Sequence, residues 1–343
     1  MGRRSTLEDV ARMAGVSRAT AARALTHPHL LKANTLTAVS TAIDTLGYVA
    51  DASARTLASG RSGMVGAIVP TLEHAVFAKA IHRLQTGLAD SGLQLVVAAH
   101  EYDSRNEAQA IRSFLSRGVD ALVLVGTERP IETWRLLRAS GVPVILTYSF
   151  HPEFDSIGFD NAAAGRLAAE HLIKLGHSRI GFISGPLRTN DRMALRIAGV
   201  RLALQSVGFA LPSAMVSEQE FSLSGGKFGV RALMSLATPP SAIIGGNDLI
   251  AAGALHELQA GGFQVPNDVS VVGIENLEIA TFTSPTLTSV QLPTAEIGNA
   301  TARHVLALLK KETVARRTEF PVSLVVRMST AKTFSERHIE ESR

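Results

Sequence analysis

Cysteine is absent from the 343-residue sequence. A disulfide scaffold, a thiolate zinc site and a cysteine nucleophile are therefore excluded. Aromatic residues make up only 5% of the chain, and Trp134 is the single tryptophan. We expect Trp134 to have a packing role on an outer helix at 131–139.

Long apolar runs are also missing. No stretch approaches the roughly 18 uninterrupted apolar residues of a membrane span. Arg3 and Arg4 are not followed by an apolar core, so the amino terminus lacks the pattern of a secretory signal. We therefore expect a cytoplasmic protein with no membrane partner.

The short motifs of several enzyme classes do not occur. There is no GxxxxGK[ST] loop, and no GxGxxG follows the first core strand, so the phosphate cradle of nucleotide chemistry is missing. HExxH and GxSxG are absent too. An enzyme would depend on acid pairs such as Asp248 and Glu275, which ligand binding explains equally well. We expect no catalytic residue, no metal site and no cofactor.

The positive charge is concentrated at one end of the chain. Residues 1–61 contain eight basic and four acidic residues, whereas the remainder contains 26 of each. The whole net charge of +4 therefore lies in the first sixth of the chain, where it could meet phosphates. A solvated basic surface is the alternative explanation for the charge taken alone.

The amino-terminal residues have the pattern of two short helices joined by a tight turn. Thr6 followed by Asp9 is an N-cap signature, and Gly15 ends the helix. Ser17 can cap a second helix that runs from Arg18 to Leu25. The arrangement predicts a helix-turn-helix, in which the start of the second helix enters the DNA major groove.

A third helix is predicted from about Asn34, a possible cap, to the stop at Gly47. Within the second helix, an arginine at position 18 can reach a guanine edge through two hydrogen bonds. The helical pattern alone also fits any other three-helix bundle.

A set of motifs at matching spacing favours the helix-turn-helix over another three-helix bundle, because it resembles a known family. The sequence resembles the head and hinge of the LacI/GalR repressor family over about 65 residues, through Thr6–Ala11, Ala14–Ser17, Thr20, Arg23, Leu25, Leu46–Tyr48, Ala54, Arg55, Leu57 and Val65–Pro70. The resemblance implies a DNA-binding set of Thr6, Ser17, Arg18, Ala19, Thr20, Arg23, Tyr48, Arg55 and Leu57. It also implies a hinge helix at 51–61 that folds on DNA, with Leu57 as an apolar wedge in the minor groove.

From Met64 onward, short apolar strands alternate with amphipathic helices. The predicted strands are Val65–Val69, Leu93–Ala98, Ala121–Val125, Val144–Thr147, Ile180–Ser184, Ala242–Gly245 and Val269–Gly273. The helices between them include Val76–Ser91, Glu107–Arg117, Ala162–Leu175 and Leu249–Ala260. This alternation predicts parallel sheets that are covered by helices on both faces.

The family resemblance continues through Asp160-Asn161, His171–Ile180, Arg196–Gly199, Asn247-Asp248 and Val271–Gly273. It implies an all-α head followed by an α/β core of two parallel-sheet subdomains, similar to type I periplasmic binding proteins. The implied domains are a head at 1–50, a hinge at 51–61, an N-terminal subdomain at 62–160 plus 291–320, and a C-terminal subdomain at 161–290 plus 321–343.

Ligands of open α/β sheets bind beyond the carboxyl ends of the strands. Strand-end position alone gives His100, Thr127, Glu128, Tyr148, Asp160, Asn247, Asp248 and Glu275 as polar candidates. The resemblance implies an effector-binding set of Phe77, Asp160, Arg196, Phe221, Asn247 and Glu275, to which we add Asp248, although Asp248 could instead cap the helix that begins at Leu249. Apolar rings with acids and an arginine suit a sugar or sugar acid. The family commonly has Asp where this chain has Glu275, so the ligand of a better-known member does not transfer.

The sequence therefore predicts a DNA-binding transcription regulator, most simply a repressor, controlled by a small carbohydrate-like effector. Two-fold half-sites imply a homodimer on a pseudo-palindromic operator. The alternative is a periplasmic-type solute-binding protein without a regulatory role, which would share the core but lack the basic head.

Overall fold

The computed structural model describes residues 5–49 and 61–333. The chain divides into two compact units, Met1–Met64 and Val65–Arg343. The predicted hinge, with Arg55 and Leu57, lies outside the described residues except for Arg61. Within the described part of the chain, no helix is both long and apolar enough to cross a membrane.

Within residues 5–49, the first unit has three helices, α1 (Leu7–Met13), α2 (Arg18–Thr26) and α3 (Ala33–Leu46), with a 3₁₀ turn at Pro28–Leu30. Val10, Val39 and Ala42 form its small buried core. The predicted cap at Asn34 is wrong: α3 begins one residue earlier, Lys32 occupies the N-cap position, and no side chain caps this end.

Over the described residues up to 333, the second unit has two six-stranded sheets. The first sheet has the order β11-β5-β4-β3-β1-β2 and the second has the order β12-β10-β9-β8-β6-β7. The strands are β1 (Met64–Val69), β2 (Gln94–Ala99), β3 (Ala121–Val125), β4 (Val144–Thr147), β5 (Asp155–Gly158), β6 (Ile180–Ser184), β7 (Val216–Glu218), β8 (Ala242–Gly245), β9 (Ser270–Glu275), β10 (Thr288–Gln291), β11 (Arg317–Glu319) and β12 (Ser323–Val325).

Nine helices of the second unit connect these strands: α4 (Ala75–Ala89), α5 (Ser104–Ser116), α6 (Ile131–Ala139), α7 (Asn161–Lys174), α8 (Asp191–Gln205), α9 (Leu223–Met234), α10 (Asp248–Ala260), α11 (Ile279–Phe282) and α12 (Thr294–Leu309), counted over the described residues. The central strands pair in parallel, for example β3 with β4, and β12 runs antiparallel to β10. The predicted fold class is confirmed, because strands buried on both faces read as continuous apolar runs.

The chain passes between the two sheets three times. It leaves the first sheet after β5 and enters the second at β6; it returns after β10 through α12 to β11, and crosses again to β12. Helix α12 packs on α4, so it covers the first sheet. We call the two sheets with their covering helices the first lobe and the second lobe.

Trp134 lies on α6 in the first lobe and is almost fully buried. Its ring packs against His151 and Phe154, with centroid distances of 4.5 and 5.2 Å. The guanidinium of Arg129 lies 5.3 Å from its centroid. The packing role predicted for Trp134 is therefore confirmed.

Candidate functional sites

Helix α1 begins at a complete capping box. Thr6 Oγ1 accepts a hydrogen bond from the backbone N–H of Asp9, and Asp9 Oδ2 accepts one from the backbone N–H of Thr6. The chain then turns at Gly15, whose φ of 67° lies in the left-handed region that favours glycine. The predicted cap and turn are therefore confirmed.

Helix α2 presents an electropositive amino-terminal end to solvent. Ser17 caps this end by accepting a hydrogen bond of 3.1 Å from the Thr20 N–H. Arg18, Ala19 and Arg23 are exposed, and the first turn contains no acidic residue. Free N–H groups and a guanidinium at one helix end attract phosphates and base edges.

The remaining head candidates differ in exposure. Thr6 is exposed, Thr20 is half-buried, and Tyr48 is half-buried against the core formed by Val10, Val39 and Ala42. Tyr48 therefore has a packing contact in addition to the DNA contact that the resemblance implies.

A cavity lies between the lobes, at the carboxyl ends of their strands. It is lined by His74, Val76, Phe77, Tyr102 and Tyr148 from the first lobe, and by Asn190, Arg192, Met193, Arg196, Phe221, Asn247 and Glu275 from the second. Five of the seven predicted effector residues are thereby brought together: Phe77, Arg196, Phe221, Asn247 and Glu275.

Asp160 does not line this cavity. It is exposed at the N-cap of α7, where its carboxylate accepts hydrogen bonds from Ala162 and Ala163 at 2.8 and 3.0 Å. The next residue, Asn161, is buried, and its Oδ1 accepts a hydrogen bond from Nε of Arg196. Asp160 is therefore a helix cap, and the residue after it, Asn161, is the one that holds Arg196.

Asp248 lies behind the cavity and does not cap α10 as suggested. Asn247 is the cap, with its Oδ1 accepting from the Ile250 N–H at 2.9 Å. The buried Asp248 carboxylate accepts from the backbone N–H of Leu277 at 2.6 Å and from Oγ of Ser289 at 2.5 Å. Burial raises the pKa of Asp248 to about 6.

Arg196 is the most enclosed charge of the cavity, with 4% of its surface exposed. It donates from Nε to Asn161 and from Nη1 to the Gly246 carbonyl, at 3.2 and 2.7 Å. Burial lowers its pKa to about 10, although the attraction of Glu275 acts in the opposite direction. It still carries a full positive charge at neutral pH.

Glu275 ends β9 and faces the same space. Burial raises its pKa to about 8, against the lowering effect of Arg196, and nearby Asp248 raises it further. Among the described residues, neither Arg196 nor Glu275 forms an ion pair within 4.0 Å. The arginine and the acid thus face one cavity without closing on each other.

Strained backbone is concentrated at this cavity. Tyr102, Tyr148 and Glu275 have φ values of 58°, 68° and 121°, which residues with a side chain rarely adopt. Such conformations cost about 1–3 kcal/mol each and cluster at functional sites.

Several hydrogen bonds join the two lobes, among them one from Asn161 Nδ2 to the Tyr148 carbonyl at 2.7 Å. Thr127 of the first lobe donates from its backbone N–H and from Oγ1 to Oδ2 of Asp191, at 3.1 and 2.8 Å. His74 Nε2 lies 3.2 Å from the Phe221 carbonyl. Burial alone would raise the pKa of Asp191, but Arg192 and the Thr127 hydrogen bonds outweigh it and lower the pKa.

Four residues that line the cavity were not predicted from the sequence: His74, Tyr102, Asn190 and Arg192. Two signals were available in the sequence. Arg192 lies four residues before Arg196, which places both on one face of a helix. Asn190 stands three residues before Met193, where its Oδ1 accepts the N–H as an N-cap does.

Comparisons with known proteins cover both units. Residues 6–51 match the lacI family of bacterial regulatory proteins, and residues 169–330 match a periplasmic binding protein-like domain. Among curated relatives, the HTH-type transcriptional regulator GntR of Pseudomonas aeruginosa is 33% identical over 332 residues, covering 95% of this chain and 96% of the relative. Catabolite control protein A of Priestia megaterium is 30% identical, covering 95% and 99% of the two chains.

Solved structures agree over the same length. A lac repressor dimer bound to operator and the anti-inducer ONPF has a TM-score of 0.83 at 26% identity, covering 96% of this chain and all of the other. A transcriptional regulator CelR in complex with cellobiose has a TM-score of 0.71 at 29% identity, covering 95% of this chain and all of the other.

Proposed function

Because the chain belongs to the LacI family of DNA-binding transcription regulators, we propose that it is a repressor whose operator affinity depends on a small effector bound between the two lobes. The observation that carries this proposal is the cavity that Arg196, Glu275 and the aromatic side chains enclose at the strand ends. Apolar rings with a few convergent polar groups are the usual composition of a small-ligand site.

The DNA contacts are proposed at the amino-terminal end of α2. Ser17, Arg18, Ala19 and Thr20 would face base edges and phosphates, and Arg23 would lie about one turn further along. A homodimer would place two such helices on the half-sites of a pseudo-palindromic operator. Arg55 and Leu57 would act in the hinge, outside the described residues.

The effector is proposed to be carbohydrate-like. One relative is named a ribose operon repressor, and the CelR structure contains cellobiose. The lobes would correspond to subdomains at 62–160 plus 291–320 and at 161–290 plus 321–343. A regulator of this kind acts in the cytoplasm and catalyses no reaction.

Effector binding would shift the repressor between two states according to its differential affinity for them. The contacts of Thr127 with Asp191 and of His74 with Phe221 hold the lobes together in the closed arrangement. A solute-binding protein would use the same cavity but would have no need of the basic head.

Arg18→Ala tests the DNA part of the proposal. We expect loss of preference at one base-pair position, worth roughly 1–3 kcal/mol if the guanidinium contacts a base edge through two hydrogen bonds. Binding-site selection with the full-length protein measures this preference. Arg12→Ala is the control, because Arg12 is exposed and pairs with Asp9 on α1. An unchanged selected motif in Arg18→Ala would remove this residue from base readout.

Arg196→Ala tests the effector part. Loss of a buried arginine from the cavity should abolish the response of operator binding to effector, while operator affinity without effector stays close to that of the unmodified protein. Gel retardation with and without effector separates the two quantities. Retention of the full response would contradict the proposed site.

A further inference from the structure

The polar groups of the cavity that have no partner in the protein are mostly hydrogen-bond donors. Asn190 and Asn247 both use Oδ1 to cap a helix, accepting from Met193 and Ile250. The cap fixes the orientation of each side-chain amide, so Nδ2 remains available to donate hydrogen bonds to another group. Neither Nδ2 has a protein partner among the described residues, and both residues line the cavity.

Two arginines add further donors. Arg192 and Arg196 are 6% and 4% exposed and lie one helical turn apart on α8. Arg192 donates a hydrogen bond of 3.0 Å from Nη1 to Oδ1 of Asp191. Its Nε and Nη2 have no hydrogen-bond partner in residues 5–49 and 61–333. Nη2 of Arg196 is likewise without a partner there.

The fold makes room for Arg192 in particular. Gly126 has a φ of 75°, and a Cβ at this position would lie 2.0 Å from Nη1 of Arg192. Arg192 therefore extends from the second lobe to the backbone of the first lobe at the cavity wall. Any side chain at position 126 would displace it.

Acceptors and negative charge are scarce by comparison. Asp191 pairs with Arg192. The carboxylate of Asp248, which does not line the cavity, accepts hydrogen bonds from Leu277 and Ser289. Burial raises the pKa of Glu275 to about 8, which weakens this carboxyl group as a counter-charge for Arg196 near neutral pH. Burial also lowers the pKa of His74, which leaves one neutral imidazole nitrogen as an acceptor.

Arg192 is paired with Asp191, whereas Arg196 forms no ion pair within the described residues, and two buried like charges one turn apart repel each other. A neutral sugar could satisfy the donors with its hydroxyl oxygens, but it would leave Arg196 with only the weakened negative charge of Glu275 facing it. A carboxylate or phosphate supplies both the acceptors and the charge, and a guanidinium matches either group through two parallel hydrogen bonds.

We propose that the effector is a small polyhydroxylated anion whose acidic group binds between Arg192 and Arg196, with Arg192 determining the preference for an anion over the neutral sugar. This inference rests on the proposed function and names the chemical class of its effector.

The experiment compares matched ligands on the full-length protein by titration calorimetry. The probes are five- and six-carbon aldoses, the aldonic and uronic acids derived from them, and their terminal phosphate esters. We expect at least one acid or ester to bind about tenfold or more tightly than its parent aldose, with an affinity that falls as salt rises. The acids and the esters form separate arms, so the result also identifies the anionic group.

Arg192→Gln should remove the preference for the anion, so that the anion binds about as weakly as the aldose. Arg192→Lys should keep part of the preference, because it retains the charge but not the planar guanidinium. Arg201→Gln is the matched control, since Arg201 is exposed on the same helix. Operator retardation by each variant without ligand verifies that it is folded.

Tighter binding of an aldose than of its acid and ester, or an Arg192→Gln variant that keeps the full preference, would overturn the proposal. Absence of binding by every acid and ester would do the same. In each case operator binding would remain, and the proposed regulator would stand. Failure to retard any operator fragment would instead contradict the proposed function.

Discussion

Glu275 combines three unusual properties in a single residue. It is buried, its φ is 121°, and its carboxyl group is not paired with Arg196 within 4.0 Å in the part of the chain that the structure describes. The family resemblance of the sequence implies the shorter Asp at this position. The longer side chain brings the carboxyl group further into the cavity, where burial favours its protonated form.

Glu275→Gln should make stability less dependent on pH. A carboxyl pKa raised to about 8 means that the unfolded chain releases its proton near pH 4–5 while the folded protein retains it. The stability that Glu275 contributes is therefore complete below pH 4 and is lost as pH rises towards 8. Relative to Glu275→Gln, the unmodified protein should lose on the order of a few kcal/mol over this range. Denaturant unfolding at several pH values measures the difference.

Glu278→Gln is the control for this series, because Glu278 is exposed three residues further along the chain. Its stability curve should follow that of the unmodified protein. Parallel curves for Glu275→Gln and the unmodified protein would mean that Glu275 ionises normally in the fold.

At the residue scale, resemblance to the family identified lining side chains of the second lobe, such as Arg196 and Glu275, and Phe77 of the first lobe. It did not identify His74 or Tyr102 of the first lobe, whose contacts with Phe221 join segments that are distant in the sequence. Asp160 stays a prediction: it caps α7 and does not line the cavity, and the neighbouring Asn161 is connected to the cavity only through its hydrogen bond with Arg196. Sequence patterns specify local structure better than contacts between distant segments.

Helices α7 and α8 cross with their backbones in contact, and two glycines allow it. A Cβ on Gly165 would lie 1.9 Å from the Arg196 carbonyl oxygen, and a Cβ on Gly199 would lie 1.9 Å from that of Ala162. The same crossing brings Asn161 at the start of α7 within 3.2 Å of Nε of Arg196. The orientation of Arg196 thus depends on how closely the two helices approach.

Gly165→Ala should separate these helices and disturb Arg196. Overpacking of this kind costs roughly 1–3 kcal/mol in the free energy of unfolding. Effector affinity should fall as well, because the hydrogen bond from Arg196 to Asn161 is lengthened. Thermal unfolding and ligand titration measure the two effects.

Ala194→Gly provides the comparison for Gly165→Ala. Ala194 is exposed on α8, so a glycine there should cost about 1 kcal/mol through helix propensity alone. Its effector affinity should not change. Equal loss of affinity in both variants would show that general destabilisation, and not the position of Arg196, is responsible.

Among the elements, the seven predicted strands and the four helices given with them agree with the structure to within a few residues at their ends, but the buried strands β5 and β10 were not predicted. The edge strands β7, β11 and β12 were not predicted, because each has three residues and no apolar run. Their position depends on pairing with a neighbouring strand, as in the antiparallel register of Val290 with Leu324. The alternation of apolar strands with amphipathic helices along the sequence does not indicate which strands pair with each other.

Closure of the two lobes is held by few polar contacts. Thr127 contributes two hydrogen bonds to Asp191, one from its backbone and one from its side chain. Contacts across a cleft of this kind shift the balance between open and closed states. A small change at position 127 should therefore alter binding without touching the ligand.

Thr127→Val should lower effector affinity by about tenfold, because a hydrogen bond to a charged group contributes about 1.5 kcal/mol or more. The unliganded protein should also become more open. Calorimetry measures the affinity, and small-angle scattering measures the radius of gyration. Thr86→Val is the control, since the Thr86 hydroxyl bonds only to carbonyls of its own helix. Unchanged affinity in Thr127→Val would show that this contact does not limit closure.

The single tryptophan gives the molecule a built-in optical reporter. Trp134 lies in the first lobe between His151, Phe154 and Arg129, and the second lobe has no other indole to emit beside it. Intrinsic fluorescence therefore records the melting of one lobe, whereas circular dichroism records both. If the melting curves from fluorescence and from circular dichroism coincide, the lobes unfold as one cooperative unit. If the two curves are separated, an intermediate with one lobe intact is populated.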